Sequence, residues 1–515
     1  MNSALPPILL ITICMSLSLV QVYTQINTTQ KQNDSVATCV YEYDYKGRYS
    51  CMISSSSITI DPNDVMEITG NHLDNKTDSD VLRASLVIIK IPQFNGEIMK
   101  KFKNLKYFEI TMTETQKIHE TAFESCSHLE ELEISSMPLT MLPSKLFKNC
   151  ENLKIFTITN TKISTLPVDL FGLTTKLEIF HVSYNQIVVL PPGLLLNMKN
   201  LISFNALHNA LTEIDEIVFK NASKLEYFSI SENLIADIEP VMNMLSGSLN
   251  LKFLGLEDNN LELIDFSLFT KYQKLERLSI GNRFKLNITN WDALPIQIND
   301  LAVEGIADNI PETGMHAYRN LSRLALGGPG ITDLKKDTFK GQENLNFLHL
   351  RPTSLTSLHP EIFKFQSNLT ALILEYSLIE ELPESIFAPL SKLGTGDYSN
   401  SLSIRHSQIK KLNVNSFGQH PGLNSLDLSF NQINAIERGV FSRFNLSISH
   451  LDFSGNLCAS NNVYGKYDLD HDEMFEKCFE NWDNWDEITA TTPGSGHKII
   501  FNGFLIIFAG SFWIF

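Results

Sequence analysis

Apolar residues recur along most of this chain in one arrangement, plainest between Leu177 and Pro191. There Leu177, Phe180, Val182 and Ile187 are apolar, and Asn185 stands between the last two. Two apolar positions separated by one residue predict a short strand with a single buried face. The same pattern restarts at Val81, Leu105, Leu129, Leu153, Leu177, Leu201, Leu225, Leu251, Leu275, Ile298, Leu321, Leu345, Leu369, Ser399, Leu423 and Ile448. Most intervals are 24 residues, and the longest, 30, separates Leu369 from Ser399. Repetition at a fixed period predicts a solenoid in which each unit buries its apolar face against its neighbours.

Each unit carries further signals. Eighteen residues after the start stand Phe123, Phe147, Phe171, Phe219, Phe269, Phe339, Phe363, Phe387, Phe417 and Phe441, expected to stack from unit to unit on the side away from the sheet. Pro143, Pro167, Pro191 and Pro383 share one offset ahead of that phenylalanine, which suits an extended segment and not a regular helix. Asn185, Asn209, Asn233, Asn259, Asn431 and Asn456 share the turn position, where a buried carboxamide satisfies backbone groups leaving the strand. Thr113, Thr161, Thr353, Ser377 and Ser407 are shorter replacements there, whereas Met137, Arg283, Ile306 and Pro329 depart from the pattern. Units between about 275 and 345 are therefore expected to be less regular. The interval of 30 places a loop near Leu390 to Ser399, marked by Gly394 and Gly396 in a polar run.

The ends differ from the middle. Residues 1–24 read as a secretory signal with an apolar stretch from Ile8 to Val20, though its charged leading region is missing. Sequons at Asn27, Asn33, Asn75, Asn221, Asn287, Asn320, Asn368 and Asn445 suit a glycosylated chain in the secretory pathway. Without the leader and its Cys14, six cysteines remain, an even number for an oxidising compartment. Residues 25–80 form a polar lead-in and a cap in which Cys39 and Cys51 close a tyrosine-rich hairpin. The repeats occupy 81–457. Cys126 and Cys150 share one offset in consecutive units, which permits a disulfide and equally suits two buried thiols. Cys458 and Cys478 bound a C-terminal cap at 458–478, where Asp468, Asp470 and Asp472 lack the glycine and closing acid of a calcium loop.

Residues 479–498 read as a polar stalk, and 499–515 form an apolar tail of 17 residues that ends the sequence. Small residues before such a tail fit a signal for glycosylphosphatidylinositol attachment, with Ala490, Gly494 and Ser495 as candidate sites. A short transmembrane segment is the alternative. The expected location is the outer face of the plasma membrane.

Charge and motif content narrow the chemistry. A net charge of -17 over 515 residues argues against nucleic acid as a partner, because phosphate neutralisation needs clustered Lys and Arg. No phosphate loop, dinucleotide fingerprint, zinc-protease helix or nucleophile elbow stands in a supporting context, and no cofactor or metal site is expected. What remains is recognition by the strand residues between the buried ones. One candidate neighbourhood is His181, Tyr184, Asn205, His208, Tyr227, Glu232 and Phe253; a second is Arg323, Phe347, His349, Arg351, Glu375 and Tyr376.

The region 81–457 resembles extracellular leucine-rich repeat proteins of the 24-residue class, including Toll-type receptor ectodomains and lipid-anchored adhesion proteins such as connectin and chaoptin. That resemblance implies an α/β solenoid, a horseshoe of about 16 units. Its concave face carries a parallel sheet, and its convex side is irregular or built of short helices. It implies a non-catalytic protein that binds an extracellular protein ligand, or a like protein on another cell. Innate-immune recognition and regulation of an extracellular enzyme are the rival expectations. A four-cysteine C-terminal flank and a Toll signalling domain, known in relatives, are absent from this sequence.

Overall fold

The computed structural model describes residues 36–55, 59–60, 65–172, 174–396, 401–420, 422–444, 449–465 and 473–486. Through them runs one parallel sheet, from Arg83–Val87 and Tyr107–Thr111 to Ser425–Asp427 and His450–Asp452. Among the described residues sixteen such strands, one per expected unit, are joined by about 15 turns of the chain. Over most of the sheet neighbours pair in repeat register, as in Phe156↔Phe180 and Leu324↔Leu348.

Both ends of the sheet are covered by antiparallel strands. Val40–Tyr43 and Tyr49–Ser54 form a hairpin whose second strand pairs in parallel with Arg83–Val87, so the cap continues the sheet. At the far end Asn462–Tyr464 runs antiparallel to His450–Asp452. Such covers occupy backbone groups that an open solenoid end would leave available to another chain.

The core is continuous. Leu132, Phe156, Phe180, Phe204 and Phe228 from the strands and Phe123, Phe147, Phe171 and Phe219 from the opposite side are all essentially inaccessible. Their rings interlock, with Phe123 to Phe147 at 5.4 Å and Phe204 to Phe219 at 4.7 Å between centroids. The row of expected partners changes in the unit beginning at Leu423, next to the last: Phe444, not Phe441, meets Phe417 at 5.4 Å, while Phe441 packs on Phe475 of the cap at 5.0 Å.

The asparagine ladder is present and double-sided. The Asn185 Nδ2 donates to Ile158 O at 2.9 Å, Val182 O at 3.0 Å and Ser183 O at 3.1 Å, and its Oδ1 accepts from Thr161 N at 3.2 Å. Each carboxamide thus ties its own turn to the unit before it. Thr113, Thr161, Ser377 and Ser407 are buried at this position as expected. Thr353 is exposed instead, because Pro352 takes the buried place.

Immediately before the ladder the backbone is left-handed. Ser136, Asn160, Tyr184, His208, Glu232, Asp258, Tyr376, His406 and Phe430 all have φ between 50° and 59°. Left-handed backbone costs non-glycine residues roughly 1–2 kcal/mol each, a cost that the carboxamide hydrogen bonds offset. Gly305, Gly328 and Gly455 take the same position elsewhere.

Three further expectations take a more definite form. The unit assigned to Ser399 begins at Leu393, which is buried 24 residues after Leu369 and precedes the repeating bond from Gly394 N to Thr370 O. The extra residues therefore fall between Leu393 and the strand Leu402–Arg405. The irregular middle is a bulge: in Arg277–Thr289 the register jumps between Gly281 and Leu286. The helix Glu476–Asp483 spans the boundary where a stalk was expected to begin; Phe479 is buried and Asn481 Nδ2 donates to Asn434 O at 2.8 Å.

All three cysteine pairs are bonded, Cys39 to Cys51, Cys126 to Cys150 and Cys458 to Cys478. The central pair thus resolves as a disulfide, with a Cα separation of 5.0 Å set by adjacent units. The leader, the sequons Asn27, Asn33 and Asn445, the acidic triplet Asp468, Asp470 and Asp472, the attachment candidates Ala490, Gly494 and Ser495 and the tail lie outside the described residues.

Candidate functional site

The open face of the sheet is built from the strand residues that alternate with the buried ones. His181, Asn205, Tyr227, Phe253, Arg323, Phe347, His349, Arg351 and Glu375 belong to it. Tyr184, His208, Glu232 and Tyr376, expected on the same face, stand one to three residues beyond their strands at the left-handed position and form a rim beside it. Their residue types gave no sign of that conformation.

The first neighbourhood comes together in two parts. On the face, Tyr227 and Phe253 stack at 4.4 Å and Arg277 lies 5.2 Å from the Phe253 ring. Burial pushes the Tyr227 hydroxyl up to about 12. On the rim, Tyr184 and His208 are 5.1 Å apart and His208 Nδ1 lies 2.7 Å from Glu232 Oε2. His181 and Asn205 contribute less to any partner. Burial lowers the His181 imidazole to about 4 while its Nε2 bonds Ser203 Oγ at 3.0 Å, and Asn205 Oδ1 accepts from Leu207 N.

Between the neighbourhoods the face carries small residues, Gly255, Ser279, Ala302 and Ala325, with carboxylates beside them. Burial, aided by Asp258, Glu304, Asp300 and Glu232, raises the Glu257 carboxyl to about 8. Burial also raises Asp300 and Glu304 against the pull of nearby arginines and, for Glu304, His349.

The second neighbourhood is one connected network. Arg323 lies over Phe347 at 4.8 Å and pairs with Asp300 at 3.4 Å. Glu375 receives His349 Nε2 at 2.8 Å, Arg351 Nε at 3.4 Å and Arg405 Nε at 2.8 Å. Burial alone would raise that carboxyl, but the His349 hydrogen bond and the charges of His349, Arg405 and Arg351 hold it at about 2. Arg351 also reaches Glu304 Oε1 at 3.5 Å across the intervening strand. Gly327 permits this, since a Cβ there would sit 2.0 Å from Glu304 Oε2.

Arg277, Arg405 and two rim residues were missed. Beyond Arg351, which lies 5.6 Å from the Tyr376 ring, the rim continues as Tyr376, His406 and Phe430, stacked at 4.8 Å and 4.6 Å with nearly parallel planes. Phe430 is 52% exposed. The available signal was that His406 and Phe430 share the offset of Tyr376 in the following two units.

Family models agree with this geometry. The BspA type leucine rich repeat region matches residues 95–206 and 194–294 in 6 copies, and a second leucine rich repeat model matches 319–379. The chain is a leucine-rich repeat protein. Among solved structures, the leucine-rich repeat protein of Leptospira interrogans superposes with a TM-score of 0.59 at 20% identity, covering 74% of this repeat protein and 91% of that one. The leucine-rich repeat domain of APL1 gives a TM-score of 0.48 at 15% identity, covering 82% and 96%. TLR13, solved with ssRNA13, gives 0.49 at 17% identity, covering 82% of this chain and 64% of that receptor. At such identities the likeness to the Leptospira protein shows a shared fold. No curated protein matches the sequence.

Proposed function

We propose that this protein is a cell-surface leucine-rich repeat glycoprotein that binds protein partners through the open sheet face and the adjoining rim. The observation that carries the reading is the row Arg351, Tyr376, His406 and Phe430, joined to the Glu375 ion network. Arginine and aromatic side chains dominate the energetic centres of protein interfaces. Here they are held in place by their own stacking and ion pairs, so little side-chain freedom is lost on association.

The sequons support the same face. Asn221, Asn287, Asn320 and Asn368 are held by Nδ2 bonds to the carbonyls of Leu196, Glu262, Ile296 and Glu343 in the preceding units, away from the open face. Sugars on them would leave the sheet uncovered. In this reading residues 1–24 direct export and the tail after Ala490, Gly494 or Ser495 is exchanged for a lipid anchor.

Adhesion is the preferred role, tested by expressing the chain on non-adherent cells. Aggregation that is abolished by phosphatidylinositol-specific phospholipase and by His406→Ala with Phe430→Ala, at equal surface level, is the expected result. Binding of the released chain to microbial surfaces without aggregation would replace adhesion with immune recognition. Full aggregation by the double variant would remove the rim from the interface.

A further inference from the structure

Away from the sheet face, on the flank where the chain turns into its strands, lies a hollow of about 610 Å³ lined by Lys100, Lys103, Asn104, Ser125, Ser127 and His128. Its lining has no carboxylate, in a chain whose net charge is -17. Lysines stand at 100, 101, 103 and 106, and they divide into two kinds. Lys101 pairs with Asp78 at 3.1 Å and Lys106 with Glu130 at 2.9 Å. Lys100 and Lys103, both in the hollow, form no ion pair among the described residues.

Both walls are fixed. Lys100 lies in the last turn of the short helix Glu97–Lys101; after it Phe102 and Leu105 are buried, and Asn104 Nδ2 donates to Ser79 O at 2.8 Å. On the opposite wall Cys126 lies between Ser125 and Ser127 and is bonded to Cys150, and Leu129 is buried. The Ser127 hydroxyl and His128 Nδ1 are 3.3 Å apart. Two ammonium groups without a counter-charge, beside hydroxyl and imidazole groups on anchored backbone, favour an anion, and each lysine donates three hydrogens to it.

We propose that this hollow binds a tetrahedral oxyanion ester, a sulfate or phosphate carried on a sugar-sized body. The hollow is larger than a bare ion requires, and its mixture of ammonium, hydroxyl and amide groups suits the hydroxyls of a ring as well as its charged ester. This site goes beyond the protein-binding face and stands apart from it, so either can fail alone.

The test titrates the secreted chain with a fully sulfated heparin-type hexasaccharide, its desulfated counterpart and an inositol phosphate. Saturable binding of the sulfated sugar or of the inositol phosphate is expected, the stronger of the two naming the source, and it weakens as salt rises. Lys100→Gln with Lys103→Gln weakens that binding at least tenfold. Lys199→Gln with Lys340→Gln, which removes the same charge elsewhere, changes it less than twofold. Thermal unfolding shows that both pairs fold alike. The proposal is overturned if neither charged probe binds, if the desulfated sugar binds as well as the sulfated one, or if the two variant pairs respond equally.

Discussion

Asn233 offers a direct measure of what the carboxamide ladder contributes. Its Nδ2 lies 3.0, 2.9 and 3.0 Å from the carbonyls of Ala206, Ile230 and Ser231, and its Oδ1 accepts from Leu211 N at 2.9 Å. The three carbonyls have other donors, Asn209, Asn259 and His208 N respectively. Asn233→Ala therefore orphans one group outright, the Leu211 N–H. With about 1–3 kcal/mol for a buried orphan and about 0.5 kcal/mol for each thinned carbonyl, the loss comes to about 3 kcal/mol. Asn233→Asp should be worse at neutral pH although it keeps the acceptor for Leu211, because a buried carboxylate would face three carbonyl oxygens. Its folded pKa would lie above the unfolded value, so stability is retained below about pH 4 and lost as pH rises. Asn209→Ala, at a partly exposed position where water can replace the side chain, should cost only about 1 kcal/mol. Urea unfolding and exchange of the Leu211 amide would report these costs. An aspartate variant as stable as the alanine variant at pH 7 would refute the argument.

Other perturbations follow from the same geometry. Gly330→Ala should disrupt folding, since its Cβ would lie 2.0 Å from the Ala307 backbone, whereas Gly327→Ala meets only the movable end of Glu304 and should cost about 1 kcal/mol or less in thermal unfolding. Glu257 and Glu133, raised to about 8 and about 7 chiefly by burial, bind protons more tightly folded than unfolded. Their contribution is complete below about pH 4 and lost as pH rises toward 8, so Glu257→Gln should stabilise the chain at pH 8 and flatten its pH profile. Glu375, held at about 2, acts oppositely and loses its contribution as the solution is acidified below about pH 4, an effect that Glu375→Gln should abolish. Replacing Cys126 and Cys150 by alanine opens a 24-residue link and should lower local stability by about 3 kcal/mol, read as faster hydrogen exchange around those two units.

Most of the scaffold was legible because burial repeats. Apolar residues at fixed offsets located the strands of the repeats, though not the closing strand Asn462–Tyr464, and the alternation assigned the strand residues a face. The rim was not legible in the same way. Left-handed backbone is signalled by glycine, asparagine or aspartate, and such residues do occur there as Asn160, Asp258, Gly305, Gly328 and Gly455. At Tyr184, His208, Glu232 and Tyr376 the conformation is imposed by the next residue's hydrogen bonds and by the neighbouring units, so local composition was silent. The ion network was half visible. Arg351 and Glu375 were grouped by offset, but the reach of Arg351 to Glu304 depends on the missing side chain of Gly327 two strands from Glu375.

The residues between Leu393 and Leu402 have a meaning beyond their own loop. Along the regular units the steps from the buried strand residue to the left-handed turn and its carboxamide keep one length, while the chain elsewhere in the unit varies. In the units beginning at Leu177, Leu225 and Leu423 those steps run Phe180 to Asn185, Phe228 to Asn233 and Leu426 to Asn431. After Leu393 new sequence has therefore been admitted on the approach to a strand, whereas the bulge between Gly281 and Leu286 falls on the departure. Loop grafts or reporter tags placed after Leu393 should then be carried without disturbing the stacking, whereas one residue added between Leu426 and Asn431 would move the Asn431 carboxamide away from the carbonyls of Ile404, Leu428 and Ser429 that it binds.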